Sequence, residues 1–406
     1  IEIFLQRKEE FDGRMGLVKL ACAGQGLDLN LLSKTKPQLS AIILNAHKVP
    51  DRGDEFDIDF PSTMNIRKYT NVVDWYKDPE NRKYYIIVPG RKKAQQNKLE
   101  TMVAGVPHTF AWGGVHGARE HYHARGYFLN MDVASLYPSL MIKYNLHSRN
   151  IADPQKFVDI YHQRLELKKK KDPLQAVLKI VLNSTYGVMK DKNNALYDPL
   201  QANRVCVYGQ LLLLDLIEHL EAVPGFELIQ SNTDGLIIRI PDKQTAFDMV
   251  DDICFDWETR CSTDKCSILL GLDVIAEIYQ KDVNNYLWID ADGKVERKGA
   301  YVKELSPIDN DLPILNRALV EYMVHRTPVE QTIGECDDLI QFQKVVKLSD
   351  KYEWVEHEII DHDQIRTEKF TYKSYRVFAA QKTGYGKILK CKHFKGKIKR
   401  DKFGNT

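Results

Sequence analysis

The sequence predicts an α+β fold in which an antiparallel β-sheet is backed by helices. Residues 226–230 and 236–240 are short apolar runs, and the turn 231–235 between them contains the Asn, Asp and Gly that favour a β-hairpin. A third apolar run, residues 126–129, indicates another buried strand. Residues 203–223 carry apolar side chains at helical spacing, which predicts a long amphipathic helix able to cover one face of such a sheet.

The length of the chain and its lack of long apolar runs limit the classes of protein to consider. A chain of 406 residues is too long for one ordinary core, so about two to four subdomains are expected. No apolar run approaches the roughly 18 residues that span a membrane, and no signal peptide is present, so no membrane partner is expected. The seven cysteines include no C-x-x-C pair, which favours reduced thiols inside a cell. The chain begins with Ile1, which suggests a fragment of a longer polypeptide.

Two carboxylates stand at the ends of the predicted strands. Asp132 follows the apolar run 126–129, and Pro138 then prevents the strand from continuing. Asp234 lies at the tip of the predicted hairpin. If the two strands are neighbours, both carboxylates come within reach of one divalent cation. For either aspartate alone, a solvated turn remains the alternative.

Three stretches occur in a fixed order: DVASLYPS at 132–139, KIVLNSTYG at 179–187 and SNTDG at 231–235. Together they resemble the A, B and C motifs of family B DNA polymerases. The resemblance extends over most of the chain and is strongest to phage and mobile-element members. It implies a right-hand architecture of palm, fingers and thumb, in which the antiparallel sheet backed by helices is the palm.

The resemblance also implies a domain organisation. An N-terminal segment corresponds to the junction after an exonuclease domain, and the palm, fingers and thumb follow it. The bounds are 1–110 (N-terminal segment), 111–152 and 188–304 (palm), 153–187 (fingers) and 305–406 (thumb). Asp57 and Asp59 lie in a stretch that resembles the first acidic motif of the exonuclease. Only about 75 residues separate Asp57 from Asp132, and no partner carboxylates follow at suitable spacing, so we interpret this match as coincidental.

The family's activity is template-directed addition of deoxynucleotides to a primer 3′-hydroxyl. Two Mg²⁺ ions, or Mn²⁺ in their place, assist the in-line displacement of pyrophosphate and require at least two carboxylates. The resemblance assigns Asp132 and Asp234 to these ions and adds the carbonyl of Val133 to their ligands. It gives Lys179 the role of neutralising charge on the leaving pyrophosphate.

The nucleotide-binding residues are predicted to come from the first two motifs and from a helical hairpin. Asp172-Pro173 divides residues 154–187 into two helices, and Arg164 and Lys168 lie four residues apart on the first. A solvated basic face is the alternative interpretation of these cations. The resemblance places the following residues around the incoming nucleotide: Ser135 and Leu136 (triphosphate, through backbone N–H groups), Tyr137 (sugar), Arg164, Lys168 and Lys179 (triphosphate), Asn183 and Tyr186 (base pair).

DNA contacts are expected outside the nucleotide site. Gly113 and Gly114 resemble the aromatic-Gly-Gly element that follows the template strand in the family, although a simple β-bulge is also compatible with them. Farther along the chain the family has a primer-gripping element, of which only Tyr286 is matched. Lys281 and Lys298 are candidates for its phosphate contacts.

The C-terminal 41 residues are strongly basic. Residues 366–406 contain 13 Lys and Arg against two Asp and Glu. Aromatic residues are interleaved with these cations, a combination typical of nucleic-acid contact: Phe370, Tyr372, Tyr375, Phe378, Tyr385 and Phe394.

Asn232 departs from the family, which usually has a first Asp in the D-T-D motif. A site with two carboxylates instead of three is expected to need more Mg²⁺, so Asn232→Asp is expected to lower that requirement.

Two other classes of protein remain open: an inactive primer-template-binding remnant and a two-metal nuclease. The partners expected for the polymerase are a DNA primer-template, deoxynucleoside triphosphates and replication accessory proteins, in the cytoplasm of a bacterium that hosts a phage or mobile element.

Overall fold

The structure, a computed structural model, describes residues 8–91, 93–263, 266–305, 312–361, 364–378 and 386–402. Tyr385, one of the predicted C-terminal aromatic contacts, lies outside these ranges. The chain divides into two compact units, Ile1–Glu277 and Ile278–Thr406. Within the described residues, none of the helices combines the length and the apolar character that a membrane span requires.

The first unit is built on a large β-sheet. Its strands lie in the order β9-β6-β8-β7-β5-β4-β3, and the pairs from β6 to β3 are antiparallel. A separate short pair, β1 and β2, is also antiparallel. The strand bounds are β1 (Tyr85–Ile86), β2 (Gln95–Gln96), β3 (Lys98–Val103), β4 (Val106–Ala111), β5 (His116–Ala118), β6 (Tyr122–Val133), β7 (Glu227–Asn232), β8 (Gly235–Ile240) and β9 (Leu270–Asp282), the last of which continues into the second unit.

Among the described residues, eight α-helices accompany this sheet: α1 (Lys8–Ala21), α2 (Lys36–Ile43), α3 (Thr70–Lys77), α4 (Leu136–Lys143), α5 (Gln155–Lys169), α6 (Leu174–Val188), α7 (Pro199–Leu220) and α8 (Gln244–Cys261). Nearly every residue of α7 is buried, so this helix forms the centre of the core. A partly buried ion pair joins α7 to α8, because Arg260 donates to the buried Asp215 over 2.8 Å. The indole of Trp257 on α8 also donates to the Leu212 carbonyl.

The structure confirms the predicted class, an α+β fold with an antiparallel sheet backed by helices. The helical hairpin predicted over 154–187 is present as α5 and α6, separated at Asp172-Pro173. The strands predicted at 226–230 and 236–240 are β7 and β8. One local expectation needs correction: the chain after Asp132 forms a helix and not only a turn, since α4 begins at Leu136. Pro138 lies in the first turn of α4, where the missing N–H costs no hydrogen bond.

The N-terminal helices support α6, the helix that carries the second motif. Gly16 on α1 approaches α6 so closely that an added Cβ would lie 2.7 Å from a methyl group of Val177. Arg14 donates hydrogen bonds to the carbonyls of Leu32 and Lys34, which ties α1 to the segment before α2. The N-terminal segment is therefore an integral part of the first unit's core.

In its described part, the second unit contains strands and two α-helices. A hairpin pairs β10 with β11, and α9 and α10 follow. Two small antiparallel sheets complete the unit, β12-β15 and β14-β13-β16-β17. The bounds are β10 (Asn285–Asp290), β11 (Val295–Lys298), α9 (Pro313–His325), α10 (Val329–Gly334), β12 (Gln343–Lys347), β13 (Trp354–Asp361), β14 (Gln364–Phe370), β15 (Ser374–Phe378), β16 (Gly386–Phe394) and β17 (Lys397–Lys402).

Candidate active site

A cavity of about 770 Å³ opens in the first unit beside the helical hairpin, where β6 ends and β8 begins. Its walls combine three carboxylates with three cations and a pair of tyrosines. The lining residues are Asp132, Val133, Ala134, Ser135, Leu136, Tyr137, Pro138, Arg164, Lys168, Lys179, Asn183, Tyr186, Thr233, Asp234, Gly271, Leu272 and Asp273. Every residue that the sequence assigned to the metal ions or the nucleotide therefore lines one cavity.

Asp132 and Asp234 are brought together by the pairing of β6 with β8. Asp132 lies opposite Gly235, the residue after Asp234, and the Val133 N–H donates to the Asp234 carbonyl over 2.7 Å. Gly235 permits this approach, because a Cβ there would lie 2.9 Å from the Met131 carbonyl oxygen and 3.1 Å from Asp132 Oδ1. A larger residue than glycine at position 235 would therefore clash with β6.

The hairpin tip that carries Asp234 has a constrained backbone. Thr233 has φ of 55°, a conformation that is uncommon for a β-branched residue. The Thr233 N–H donates to the Val115 carbonyl over 3.1 Å, which attaches the tip to the segment before β5. Backbone strain that surrounding contacts maintain is often found at functional sites.

The chain after Asp132 turns sharply into a helix. Ser135 has φ of 60°, in the left-handed region, and α4 begins at the next residue. The first N–H groups of a helix lack partners within the helix and favour anions. The N-terminus of α4 therefore presents backbone donors beside the Asp132 carboxylate, as the nucleotide assignment of Ser135 and Leu136 requires.

Arg164 is the most unusual cation of the cavity. Only 6% of its surface is exposed, and burial lowers the pKa of its guanidinium. Its Nη1 donates to the Ser135 hydroxyl over 2.7 Å, whereas its buried Nε has no hydrogen-bond partner. No carboxylate in the described part of the chain forms an ion pair with it. A buried, uncompensated guanidinium that borders a cavity is strongly suited to an anionic ligand.

Tyr137 and Tyr186 form one side of the cavity. Their ring centroids lie 4.3 Å apart with a 48° angle between the planes. Burial raises the pKa of both phenols, so both stay neutral over the physiological range. Behind Tyr137, helix α7 has Gly209, where an added Cβ would lie 3.4 Å from the Tyr137 ring. Tyr137 is thus held by Tyr186 in front and by α7 behind.

The residues of the cavity fit Mg²⁺. Mg²⁺ is usually held by one or two carboxylates together with water and substrate phosphates, not by a complete protein cage. Asp132 and Asp234 supply two carboxylates, and the cations on α5 and α6 line the same cavity. Among the described residues, no group of three or more His, Cys, Asp and Glu side chains is arranged to hold a metal.

Asn232 does not line the cavity. Its Oδ1 lies 3.0 Å from Nδ1 of His116 and accepts a hydrogen bond from the Thr233 hydroxyl over 3.2 Å. His116 lies directly opposite Asn232 in the β5–β7 pair. The side chain therefore joins β5 to the hairpin tip.

Hydrogen bonds from core residues hold the loop with Gly113 and Gly114, and these two glycines do not line the cavity. Lys190 donates to the Trp112 carbonyl over 2.7 Å, and Gln210 donates to the Gly113 carbonyl over 3.1 Å. An added Cβ at Gly114 would lie 3.1 Å from the Thr233 hydroxyl, so this glycine allows the loop to approach the hairpin tip.

The predicted primer contacts are described within their own unit. Lys281, Tyr286 and Lys298 belong to the second unit. There Lys298 lies opposite Tyr286, with its ammonium 5.7 Å from the ring centroid, and Lys281 lies 4.5 Å from the centroid of Tyr301.

The two carboxylates of the exonuclease-like stretch have local partners in the first unit. Asp57 pairs with Arg82 over 3.1 Å. Asp59 pairs with Arg204 over 3.0 Å and accepts a hydrogen bond from the Tyr208 hydroxyl. These contacts give both residues a structural role.

Sequence reasoning missed one wall of the cavity, formed by Gly271, Leu272 and Asp273 at the start of β9. Asn130 donates to Asp273 over 3.4 Å, and an added Cβ at Gly271 would lie 3.6 Å from the Asp132 carbonyl oxygen. The run Leu-Gly-Leu-Asp at 270–273 did not predict a site by itself, because it reaches the cavity only through the position of β9 beside β6.

Comparison with known proteins relates the chain to DNA polymerases of archaea. No family model matches the chain. DNA polymerase 1 of Sulfurisphaera ohwakuensis is 23% identical over 196 residues, which cover 48% of this chain and 21% of that protein. DNA polymerase 1 of Aeropyrum pernix is 25% identical over 214 residues, 43% of this chain and 22% of that protein. The DNA polymerase of Thermococcus sp. strain 9oN-7 is 24% identical over 310 residues, 64% of this chain and 38% of that protein.

Among solved structures, the family B DNA polymerase of Pyrobaculum calidifontis matches 85% of this chain and 44% of its own length, with 16% identity and a TM-score of 0.43. The chain spans about a fifth of the first two curated relatives, whose names are those of DNA polymerases. It is therefore similar to part of such an enzyme.

Proposed function

We propose that this chain is the polymerase core of a family B DNA polymerase, which extends a DNA primer with deoxynucleoside triphosphates on a template. One observation carries the proposal: Asp132 and Asp234, with Asp273 nearby, line a single cavity together with three cations. Carboxylates bind divalent cations, whereas the cations suit a triphosphate, and a nucleotidyl transfer needs both at once.

Each residue has a task in this reaction. When bound, two Mg²⁺ ions supply Lewis-acid stabilisation of the attacking and leaving oxygens. Asp132 and Asp234 would hold them, with the Val133 carbonyl as a further ligand. Arg164 and Lys168 on α5 bind the triphosphate oxygens.

On the facing helix, Lys179 neutralises the charge that develops on pyrophosphate. The backbone N–H groups of Ser135 and Leu136 hold the same phosphate chain. Asn183 and Tyr186 border the nascent base pair.

Tyr137 selects the sugar. Its ring is held between Tyr186 and α7, so it cannot move aside without repacking the core. A 2′-hydroxyl on the incoming sugar would meet this ring, and deoxynucleotides are preferred for that reason.

We also propose the DNA contacts that the family resemblance implies. Gly113 and Gly114 follow the template strand, and Lys281, Tyr286 and Lys298 grip the primer. The short helices α5 and α6 favour the smaller phage and mobile-element polymerases, which act in the cytoplasm of a bacterial host with replication accessory proteins.

A primer-extension assay with labelled primer, template, deoxynucleotides and Mg²⁺ or Mn²⁺ tests the proposal. Extension supports it. Binding of primer-template without extension identifies an inactive remnant, and shortening of the primer identifies a two-metal nuclease. The chain should therefore be assayed with and without deoxynucleotides.

A further inference from the structure

The sheet β14-β13-β16-β17 in the second unit has two faces of different character. The register pairs Lys392 with Lys399 and Phe394 with Lys397 across β16 and β17. Directly opposed residues share a face, and so do residues two apart on one strand. These four side chains therefore stand together on one face, and Lys395 lies in the turn beside them. We call this group the β16–β17 basic face.

The β16–β17 basic face concentrates positive charge. Like charges directly opposite each other destabilise a strand pair, as Lys392 and Lys399 do here. In the described part of the chain, no carboxylate forms an ion pair with Lys392, Lys395, Lys397 or Lys399. Phe394 is 52% exposed in their midst, and the ammonium groups of Lys392 and Lys395 each lie 5.6 Å from its ring centroid.

The opposite face of the same sheet is neutralised internally. Glu356 accepts hydrogen bonds from Arg400 and from the indole of Trp354. Lys369 lies 4.3 Å from the Trp354 ring centroid. Glu353 pairs with His393 over 2.8 Å. The contrast shows that the cations are not spread evenly over a basic tail, since β17 directs Arg400 to one face and Lys399 to the other.

We propose that the β16–β17 basic face binds a single strand of DNA, with phosphates on its lysines and a base stacked on Phe394. The proposal deepens the proposed function, because it rests on DNA as the polymerase's partner. Lysines alone suit any DNA backbone. An exposed ring between them favours an unpaired base, whose flat face is free to stack, over a duplex, whose bases are already stacked on each other.

The test measures binding of the full chain to an oligonucleotide of about 20 residues, single-stranded or in duplex, at increasing NaCl concentration by fluorescence anisotropy. The double variant Lys392→Gln/Lys399→Gln removes two cations from the β16–β17 basic face. The matched control, Lys369→Gln/Lys387→Gln, removes two exposed cations from the opposite face. Thermal unfolding checks that each variant is folded.

The first double variant should reduce the log–log salt slope for the single strand by about 1.4, because each lost phosphate contact removes roughly 0.7. The control should leave the slope unchanged. Phe394→Ala should weaken single-strand binding roughly tenfold without changing the slope, since stacking is not ionic.

Equal slopes for the two double variants would overturn the proposal, as would a larger effect of Phe394→Ala on the duplex than on the single strand. Loss of unfolding cooperativity in the first double variant would also contradict it, because relief of the Lys392–Lys399 repulsion should not destabilise the sheet. Binding needs no catalysis, so a chain that binds this way but extends no primer refutes only the proposed function.

Discussion

Arg164 donates a hydrogen bond from Nη1 to the hydroxyl oxygen of Ser135 over 2.7 Å, and so joins α5 to the turn that follows Asp132. The guanidinium is buried without a carboxylate partner in the described part of the chain, which costs folding free energy. The triphosphate of an incoming nucleotide would offset that cost. Affinity for the nucleotide and stability of the free protein are therefore expected to oppose each other at this residue.

Arg164→Met should raise the KM for deoxynucleotides about tenfold to a hundredfold, the value of one or two charge-assisted hydrogen bonds. The free energy of unfolding should stay the same or increase, because an uncompensated charge is removed. Steady-state extension and denaturant unfolding measure the two effects. Lys169→Met is the control, since Lys169 is exposed and already pairs with Glu166. A clear loss of stability with unchanged KM would give Arg164 a purely structural role.

Asp132→Asn and Asp234→Asn should each reduce extension more than a hundredfold, because loss of a metal ligand costs several kcal/mol of barrier. Primer-template affinity should change little, since the basic surfaces are intact. Single-turnover extension and anisotropy are the measurements, and Asp242→Asn, an exposed carboxylate after β8, is the control. A variant that keeps more than about a hundredth of the rate has lost no essential ligand.

Some of this arrangement follows from local signals. Pro173 and the four-residue spacing of cations predict α5 and α6, and the Asn-Thr-Asp-Gly turn predicts the hairpin tip. What the sequence could not predict depends on pairing between distant segments. Asp273 reaches the cavity only because β9 lies beside β6, and the two faces of the C-terminal sheet depend on the register of four strands.

Tyr137→Ala should increase incorporation of ribonucleotides relative to deoxynucleotides, because it opens the space that the ring occupies. Tyr137→Phe should keep the discrimination of the unmodified protein, since the steric argument needs the ring and not the hydroxyl. Competition between the two nucleotide types in single-nucleotide extension gives the ratio. If Ala also keeps the discrimination of the unmodified protein, the ring is core packing and the sugar is selected elsewhere.

Asn232→Asp should change the Mg²⁺ concentration for half-maximal extension by less than about threefold, because its side chain faces His116 and Thr233 and not the cavity. The sequence had predicted a lower Mg²⁺ requirement from the added charge alone. Asn232→Leu loses the hydrogen bonds to His116 and Thr233 and should slow extension about tenfold by loosening the hairpin tip. A Mg²⁺ titration in which Asp lowers the requirement tenfold would mean that the side chain reaches the metal.

Lys190 gives a prediction that depends on pH. Its ammonium donates to the Trp112 carbonyl and lies 4.8 Å from the centroid of Tyr84, and burial lowers its pKa below the ordinary value of 10.5. Between the lowered pKa and 10.5 the unfolded chain binds more protons than the folded one, so this residue makes the free energy of unfolding rise with pH. Below that window both states are protonated and the slope vanishes.

Lys190→Met removes this titration. The difference in the free energy of unfolding, unmodified protein minus variant, should therefore increase as the pH is raised toward about 9.5. The titration stops there because tyrosines of the unfolded chain ionise at higher pH, whereas burial raises the pKa of folded tyrosines such as Tyr84. The variant should also bind primer-template more weakly, because the loop with Gly113 and Gly114 loses an anchor. Lys192→Met, at an exposed lysine two residues on, is the control. A difference that does not vary with pH would show that the Lys190 ammonium is not buried at the base of this loop.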